Sequence, residues 1–147
     1  KRRPPKHNRC QWKPRRGACD IPGAFLLADN PDFVLMHLDG KVAPKLYRKF
    51  VTTNAKGKSV LYVQLEKAVY GIMKSALLFY WKLVADLISL GFEINPYDPC
   101  VANKIINNKQ LTICWYVVDL FLGHEDPAVV SNCQENLIDK SLLINVL

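Results

Sequence analysis

The sequence contains no apolar run long enough to cross a membrane. No uninterrupted apolar stretch, residues 76–81 included, exceeds six residues, whereas a membrane-spanning helix needs about 20. The five cysteines lie far apart, with no pair at the spacing of zinc ligands, and the first residues lack the apolar core of a signal peptide. We therefore expect a reduced intracellular protein, cytoplasmic or nuclear, with no membrane partner.

Acidic residues are absent from the first sixteen positions, which contain eight lysines and arginines and three prolines. The rest of the chain has twelve basic and thirteen acidic residues, so the net charge of +7 comes from this N-terminal stretch. We predict a basic disordered arm over residues 1–17 and one domain over residues 18–147. The net charge alone is weak support for nucleic-acid binding by that domain.

One stretch, residues 110–123, reads Gln-Leu-Thr-Ile-Cys-Trp-Tyr-Val-Val-Asp-Leu-Phe-Leu-Gly. Two apolar runs that favour β structure flank the single charge of Asp119, which predicts a carboxylate at the turn of a buried hairpin. Asp119 is either only a turn former or a metal ligand that needs a second carboxylate. Asp20 is the candidate partner, because the Pro22-Gly23 breaker ends the strand that would contain it.

A helix is predicted over residues 66–90, where apolar residues recur at spacings of three and four. Gly91 is placed to end it. Gly71 is unfavourable in a helix by about 1 kcal/mol, so either the helix starts after Gly71 or something approaches the backbone closely there. Asp126 followed by Pro127 predicts the start of a C-terminal helix.

Strand patterns surround these helices. Residues 33–38 and 60–65 are predicted to be extended, with a basic, exposed hairpin arm over residues 41–58. Residues 100–106 and 111–117 pair naturally across the short loop 107–109. The predicted fold class is α+β: an antiparallel sheet with the Asp119 hairpin, backed by helix 66–90 and the C-terminal helix.

Three separated blocks together resemble the palm of a copia-type retrotransposon reverse transcriptase. They are Cys-Asp-Ile-Pro-Gly-Ala-Phe-Leu at 19–26, Lys-Ala-Val-Tyr-Gly-Ile-Met-Lys-Ser at 67–75 and Trp-Tyr-Val-Val-Asp-Leu at 115–120. Their order and spacing match the family's aspartate block, its tyrosine-glycine block and its paired-aspartate hairpin. The resemblance implies a fingers and palm fragment from the Pol polyprotein of a transposable element.

The resemblance also implies a chemistry. The family is an RNA-directed DNA polymerase, a nucleotidyltransferase that joins a deoxynucleoside triphosphate (dNTP) to the 3′ hydroxyl of a DNA primer on an RNA template. Two Mg²⁺ ions held by carboxylates assist that transfer. By position, Asp20 and Asp119 match two of the family's three catalytic, metal-binding aspartates. Val118 stands where the third belongs, and valine has no oxygen to offer a metal ion.

Other positions gain implied roles from the same blocks. Phe25 matches the aromatic residue that excludes ribonucleotides, and Tyr70, Gly71 and Lys74 match residues that approach the nucleotide. Tyr116, Val117 and Val118 form the hairpin that presents the aspartates. Packing alternatives stay open: Phe25 in the core, Lys74 on a solvated face and Tyr116 in strand packing.

Two functional hypotheses follow from the sequence. The first is a reverse transcriptase fragment that is inactive as written, because Val118 replaces a ligand, no thumb is recognisable, and only Ala18 and Cys19 are apolar before Asp20. The second is a non-catalytic nucleic-acid-binding protein derived from a retroelement, in which the basic arm and hairpin hold phosphates.

Overall fold

A computed structural model describes residues 15–21, 23–39 and 48–142 of the chain. Within this described part, two antiparallel sheets and two α-helices form a mixed α+β architecture. The predicted α+β class is therefore confirmed. The described residues divide into two compact units: the first contains residues 15–21 and 84–142, and the second contains the remainder.

The first unit is built on a five-stranded sheet in which every neighbouring pair of strands is antiparallel. The strand order is β1-β8-β7-β6-β5. The strands are β1 (Arg15–Asp20), β5 (Glu93–Ile94), β6 (Val101–Ile106), β7 (Lys109–Tyr116) and β8 (Asp119–His124).

One face of this sheet is apolar because buried side chains alternate along the strands. On β8, Leu120 and Leu122 are buried, whereas Asp119 and Phe121, which alternate with them, are exposed. Helix α2 (Pro127–Leu142) contacts β1 and β8 and buries the apolar side chains of Val130, Cys133 and Leu137. The C-terminal helix therefore backs the sheet, as predicted.

The ends of α2 and of the β6–β7 hairpin follow the local sequence. The Asp126 carboxylate accepts a hydrogen bond of 2.9 Å from the Ala128 N–H, which caps the start of α2 as expected. Asn107 and Asn108 connect β6 to β7 with φ angles of 51° and 60°. Such a two-residue turn matches the twist of the flanking strands, and asparagine tolerates positive φ.

Strand β1 begins within the stretch predicted to be a disordered arm. Residues 15–17 belong to β1 and pair with His124, Gly123 and Leu122 of β8, so the prediction of disorder for these three residues is wrong. Hydrogen bonds to β8 satisfy their backbone groups, and an edge strand needs fewer apolar side chains than a central one. Residues 1–14 of the predicted arm lie outside the described residues.

The second unit contains a three-stranded antiparallel sheet in the order β2-β4-β3. Its strands are β2 (Leu35–Asp39), β3 (Thr52–Thr53) and β4 (Ser59–Gln64), with 3₁₀ helices at Ala24–Leu27 and Arg48–Phe50. The Asn54 side chain accepts hydrogen bonds from the N–H groups of Lys56 and Lys58 and closes the β3–β4 turn. The hairpin predicted over 41–58 is thus observed from β3 onward, and residues 41–47 lie outside the described part.

Helix α1 (Ser75–Ser89) is shorter than the helix predicted over residues 66–90. The prediction fails for residues 66–74. The backbone there pairs instead with an earlier segment, since Asn30 N–H donates to the Glu66 carbonyl and Ala68 N–H to the Ala28 carbonyl. Gly71 then adopts a φ of 94°, which a helix cannot accommodate. Neither described helix is long and apolar enough to cross a membrane.

Candidate metal-binding carboxylate pair

Asp20 and Asp119 are directly opposite each other on two neighbouring strands. Asp20 is the last residue of β1, Asp119 is the first of β8, and the antiparallel register pairs them. Side chains of opposed residues point to the same face, with Cβ atoms about 4.5–5.5 Å apart. Both residues are exposed. The structure therefore brings together the two carboxylates that the sequence singled out.

Strand alternation aims both carboxylates away from the core. Their neighbours Cys19 and Leu120 form the next pair in the register and are buried on the opposite face. Burial, and secondly the charge of Asp20, raise the pKa of the Cys19 thiol above its ordinary value. Cys19 therefore stays protonated near neutral pH and offers no thiolate ligand beside the pair.

The β7–β8 turn presents Asp119. Tyr116 pairs with Asp119 across a two-residue turn made of Val117 and Val118. Val117 has a φ of 54°, a region that β-branched residues avoid, and such backbone strain costs about 1–3 kcal/mol. Val118 is half-buried and provides no ligand. The tip of the hairpin is thus strained and has one carboxylate where the family pattern has two.

Tyr116 and Phe121 extend the exposed face on which the carboxylates lie. The Tyr116 side chain is 76% exposed and Phe121 is 50% exposed. Strand packing therefore does not account for the Tyr116 ring. The exposed face next to Asp20 and Asp119 presents aromatic surface to solvent.

Helix α2 approaches β1 closely three residues before Asp20. A Cβ atom built on Gly17 would lie 2.6 Å from Val130 Cγ1 and 2.9 Å from Gln134 Nε2. Gln134 also donates a hydrogen bond of 2.9 Å to the Ala18 carbonyl. The sequence prediction missed Gly17 and Gln134 as supports of β1. The available signal was a glycine within a strand, which marks close approach of another backbone or side chain.

Asp20 and Asp119 could hold one divalent cation between them, and as two carboxylates they are too few ligands for a pair of cations. Two opposed carboxylates are oxygen ligands of the kind that Mg²⁺ prefers, and their mutual repulsion favours a cation between them. Among the residues that the structure describes, no group of three or more His, Cys, Asp or Glu side chains could hold a metal ion. The two-ion arrangement of the polymerase family needs at least one more carboxylate than this corner of the sheet supplies.

In the second unit, Phe25 is a core residue. It is only 7% exposed, with the Tyr70 ring tilted against it at a centroid distance of 4.4 Å and the Phe79 ring edge-on at 6.2 Å. The structure therefore supports the packing alternative for Phe25. Tyr70 itself is 72% exposed and covers Phe25 from the solvent side.

Gly71 and Lys74 serve local structure in the same unit. No atom lies within 4 Å of a Cβ built on Gly71, so its positive φ, and not a close approach within the chain, explains the glycine. Lys74 Nζ forms an exposed ion pair of 2.7 Å with Asp32. This contact agrees with the alternative in which Lys74 lies on a solvated face. Lys67 forms a similar pair with Asp29.

Comparisons with known proteins identified no relative of this chain. No family model, no curated protein and no solved structure matches the chain.

Proposed function

We propose that the chain is a fingers and palm fragment of a copia-type retrotransposon reverse transcriptase that has lost its polymerase activity. The observation that carries this proposal is the cross-strand pair of Asp20 and Asp119. The two aspartates come from sequence blocks about a hundred residues apart, and the resemblance requires that these blocks meet. The resemblance implies an antiparallel sheet backed by helices for the palm, and the described five-stranded sheet with α2 against β1 and β8 is compatible with that expectation.

The proposed ancestral reaction is nucleotidyl transfer from a dNTP to a DNA primer on an RNA template. Val118 removes one of three expected ligands, and the donor set described above does not fit two Mg²⁺ ions. A missing ligand in such a centre costs about 4 kcal/mol of transition-state stabilisation, which corresponds to about a thousandfold in rate. The chain therefore retains a carboxylate pair without the machinery for efficient transfer.

Primer extension tests the proposal. The purified chain, given an RNA template, a DNA primer, dNTPs and Mg²⁺, is expected to add no nucleotide. Val118→Asp restores the third carboxylate, so any extension should appear in that variant and not in Val118→Asn, whose amide has the size of the aspartate carboxylate without its charge. Adding Asp20→Asn to the Val118→Asp variant should abolish the extension again.

Two outcomes contradict the proposal. Extension by the unmodified chain would show that Val118 does not disable it. Equal extension by folded Val118→Asn and folded Val118→Asp would show that a third carboxylate is not what the chain lacks.

A non-catalytic role in binding nucleic acid is the second candidate, and one observation favours it. Arg48, Lys49, Lys56 and Lys58 are all exposed in the second unit, and no acidic residue occurs between positions 48 and 65. This cationic segment adjoins the three-stranded sheet and could contact phosphates without any metal ion.

Salt dependence distinguishes this candidate. Affinity for a single-stranded RNA, measured by fluorescence anisotropy, should fall as salt rises, and each lost phosphate contact should reduce the logarithmic slope by about 0.7. The double variant Lys56→Gln and Lys58→Gln should reduce the slope, while the control Lys109→Gln in the other unit should not. Binding that is unchanged by the double variant but lost in Asp20→Asn would contradict the candidate.

A further inference from the structure

A small cavity lies in the first unit, on the face of the five-stranded sheet opposite Asp20 and Asp119. Its volume is about 120 Å³. Strands β6 and β7, helix α2 and the segment that follows α1 all contribute to its walls. The apolar part of the lining consists of Leu90, Phe92, Ile106, Leu111 and Val129.

Lys104 gives this apolar cavity a positive charge. It lies on β6 between Ala102 and Ile106, and it belongs to the face of the sheet that is buried, because it pairs with the fully buried Leu111. A lysine at such a position is unusual, since buried ammonium groups are normally paired with carboxylates. Lys104 is half-buried and lines the cavity.

The ammonium group of Lys104 is only partly compensated by the protein. Nζ donates a hydrogen bond of 2.6 Å to the Leu90 carbonyl and lies 5.7 Å from the centre of the Phe92 ring. Among the residues whose side chains the structure describes, which extend to Leu137, no carboxylate forms an ion pair with it. An ammonium has three donors, so at least one donor and the net charge remain available to an anionic group.

We propose that this cavity binds a small monocarboxylate with an apolar body, of the size of benzoate. The carboxylate would accept a hydrogen bond from Lys104, and the ring would lie against the half-buried Ile106 and Val129. Cavities of about 150 Å³ lined by aliphatic and aromatic side chains bind benzene, so the volume here suits a single ring whose polar end reaches solvent. Exposed Asn132 and Asn136 contribute to the lining, and their amides are hydrogen-bonded to each other at 2.8 Å.

This proposal is independent of the proposed polymerase ancestry. The carboxylate pair and the cavity lie on opposite faces of the sheet, so loss of one leaves the other intact. A ligand of this size binds weakly even in a well-fitting pocket, and the expected dissociation constant for benzoate is on the order of 1 mM.

Nuclear magnetic resonance titration of the full chain with benzoate tests the proposal. Amide signals of Leu90, Lys104 and Cys133 should shift in a saturable way. Benzyl alcohol, which has nearly the same shape and no charge, should bind at least tenfold more weakly. Lys104→Met keeps the length of the side chain and should weaken benzoate binding at least tenfold, whereas Lys109→Met, a surface control, should leave it unchanged.

The proposal is overturned by any of three results. The first is the absence of saturable shifts up to about 20 mM benzoate, well above the expected dissociation constant. The second is equal binding of benzoate and benzyl alcohol, and the third is undiminished binding by folded Lys104→Met. If Lys104→Met does not fold, the affinities of the unmodified chain for benzoate and benzyl alcohol still test the proposal: tighter binding of benzoate supports it, and equal binding refutes it.

Discussion

The contact between Gly17 and helix α2 makes a quantitative prediction about stability. Gly17→Ala adds a methyl group that would lie 2.6 Å from Val130 Cγ1 and 2.9 Å from Gln134 Nε2. The end of the Gln134 side chain can move, but Val130 is branched at Cβ and is stiff at χ1. We therefore expect α2 or β1 to shift in the variant.

The magnitude follows from two opposing effects. Overpacking of a well-packed contact costs about 1–3 kcal/mol. Replacing glycine by alanine also restricts the unfolded chain, which favours folding by about 0.4–1 kcal/mol. The net expectation is a loss of about 1–2 kcal/mol in the free energy of unfolding.

Urea denaturation followed by tryptophan fluorescence, to which Trp115 with its 6% exposure contributes a buried reporter, measures this loss. Val130→Ala in the Gly17→Ala background should recover part of it, because the clashing methyl group is gone, and the coupling should be about 0.5–3 kcal/mol. Ala18→Ser, at the exposed neighbouring position, is the control and should change stability by less than about 0.5 kcal/mol. A neutral or stabilising Gly17→Ala would refute the close approach of α2 to β1.

Three further predictions concern other parts of the chain. Leu83 is 3% exposed, so Leu83→Ala should lower the free energy of unfolding in urea by about 2–5 kcal/mol. Leu77 of the same helix is 45% exposed, so Leu77→Ala should lower it far less. Equal losses would contradict the assignment of the buried face of α1. Val117→Asn should relieve backbone strain and raise stability by about 1 kcal/mol, and a loss would argue against a strained turn. Burial raises the pKa of the Cys133 thiol from 9.0 to about 11, so its contribution to stability is complete below pH 9 and is lost as pH rises towards 11. Stability should therefore fall less over that interval in Cys133→Ala than in the unmodified chain, and identical pH profiles would contradict this.

Local patterns in the sequence predicted those parts of the fold that depend on neighbouring residues. The Asn107-Asn108 turn and the Asp126 cap were predictable because turn and cap chemistry involve residues close in sequence. The placement of Asp20 at a strand end made it a candidate partner for Asp119, but only the resemblance put the two on neighbouring strands, since no local signal encodes a pairing between distant strands.

The failed predictions have long-range causes. The helix over 66–90 was predicted from its apolar spacing, but residues 66–68 pair with the segment around Ala28 instead, and such pairing overrides local propensity. The positive charge of the N-terminal stretch predicts a disordered arm that includes residues 15–17, whereas hydrogen bonds to β8 make these residues a strand. The half-buried position of Lys104 could not be predicted, because an isolated lysine in a strand is normally exposed.

Binding of Mn²⁺, which substitutes for Mg²⁺ at oxygen sites, tests the central claim about Asp20 and Asp119 most directly. In a nuclear magnetic resonance titration, paramagnetic broadening should centre on amide signals of these two residues and their strand neighbours. Asp20→Asn and Asp119→Asn should each weaken the effect several-fold, whereas Asp32→Asn, whose carboxylate is paired with Lys74, should not alter it. Broadening that is spread evenly over the acidic residues, or that persists in both single variants, would contradict the claim that the pair forms a metal site.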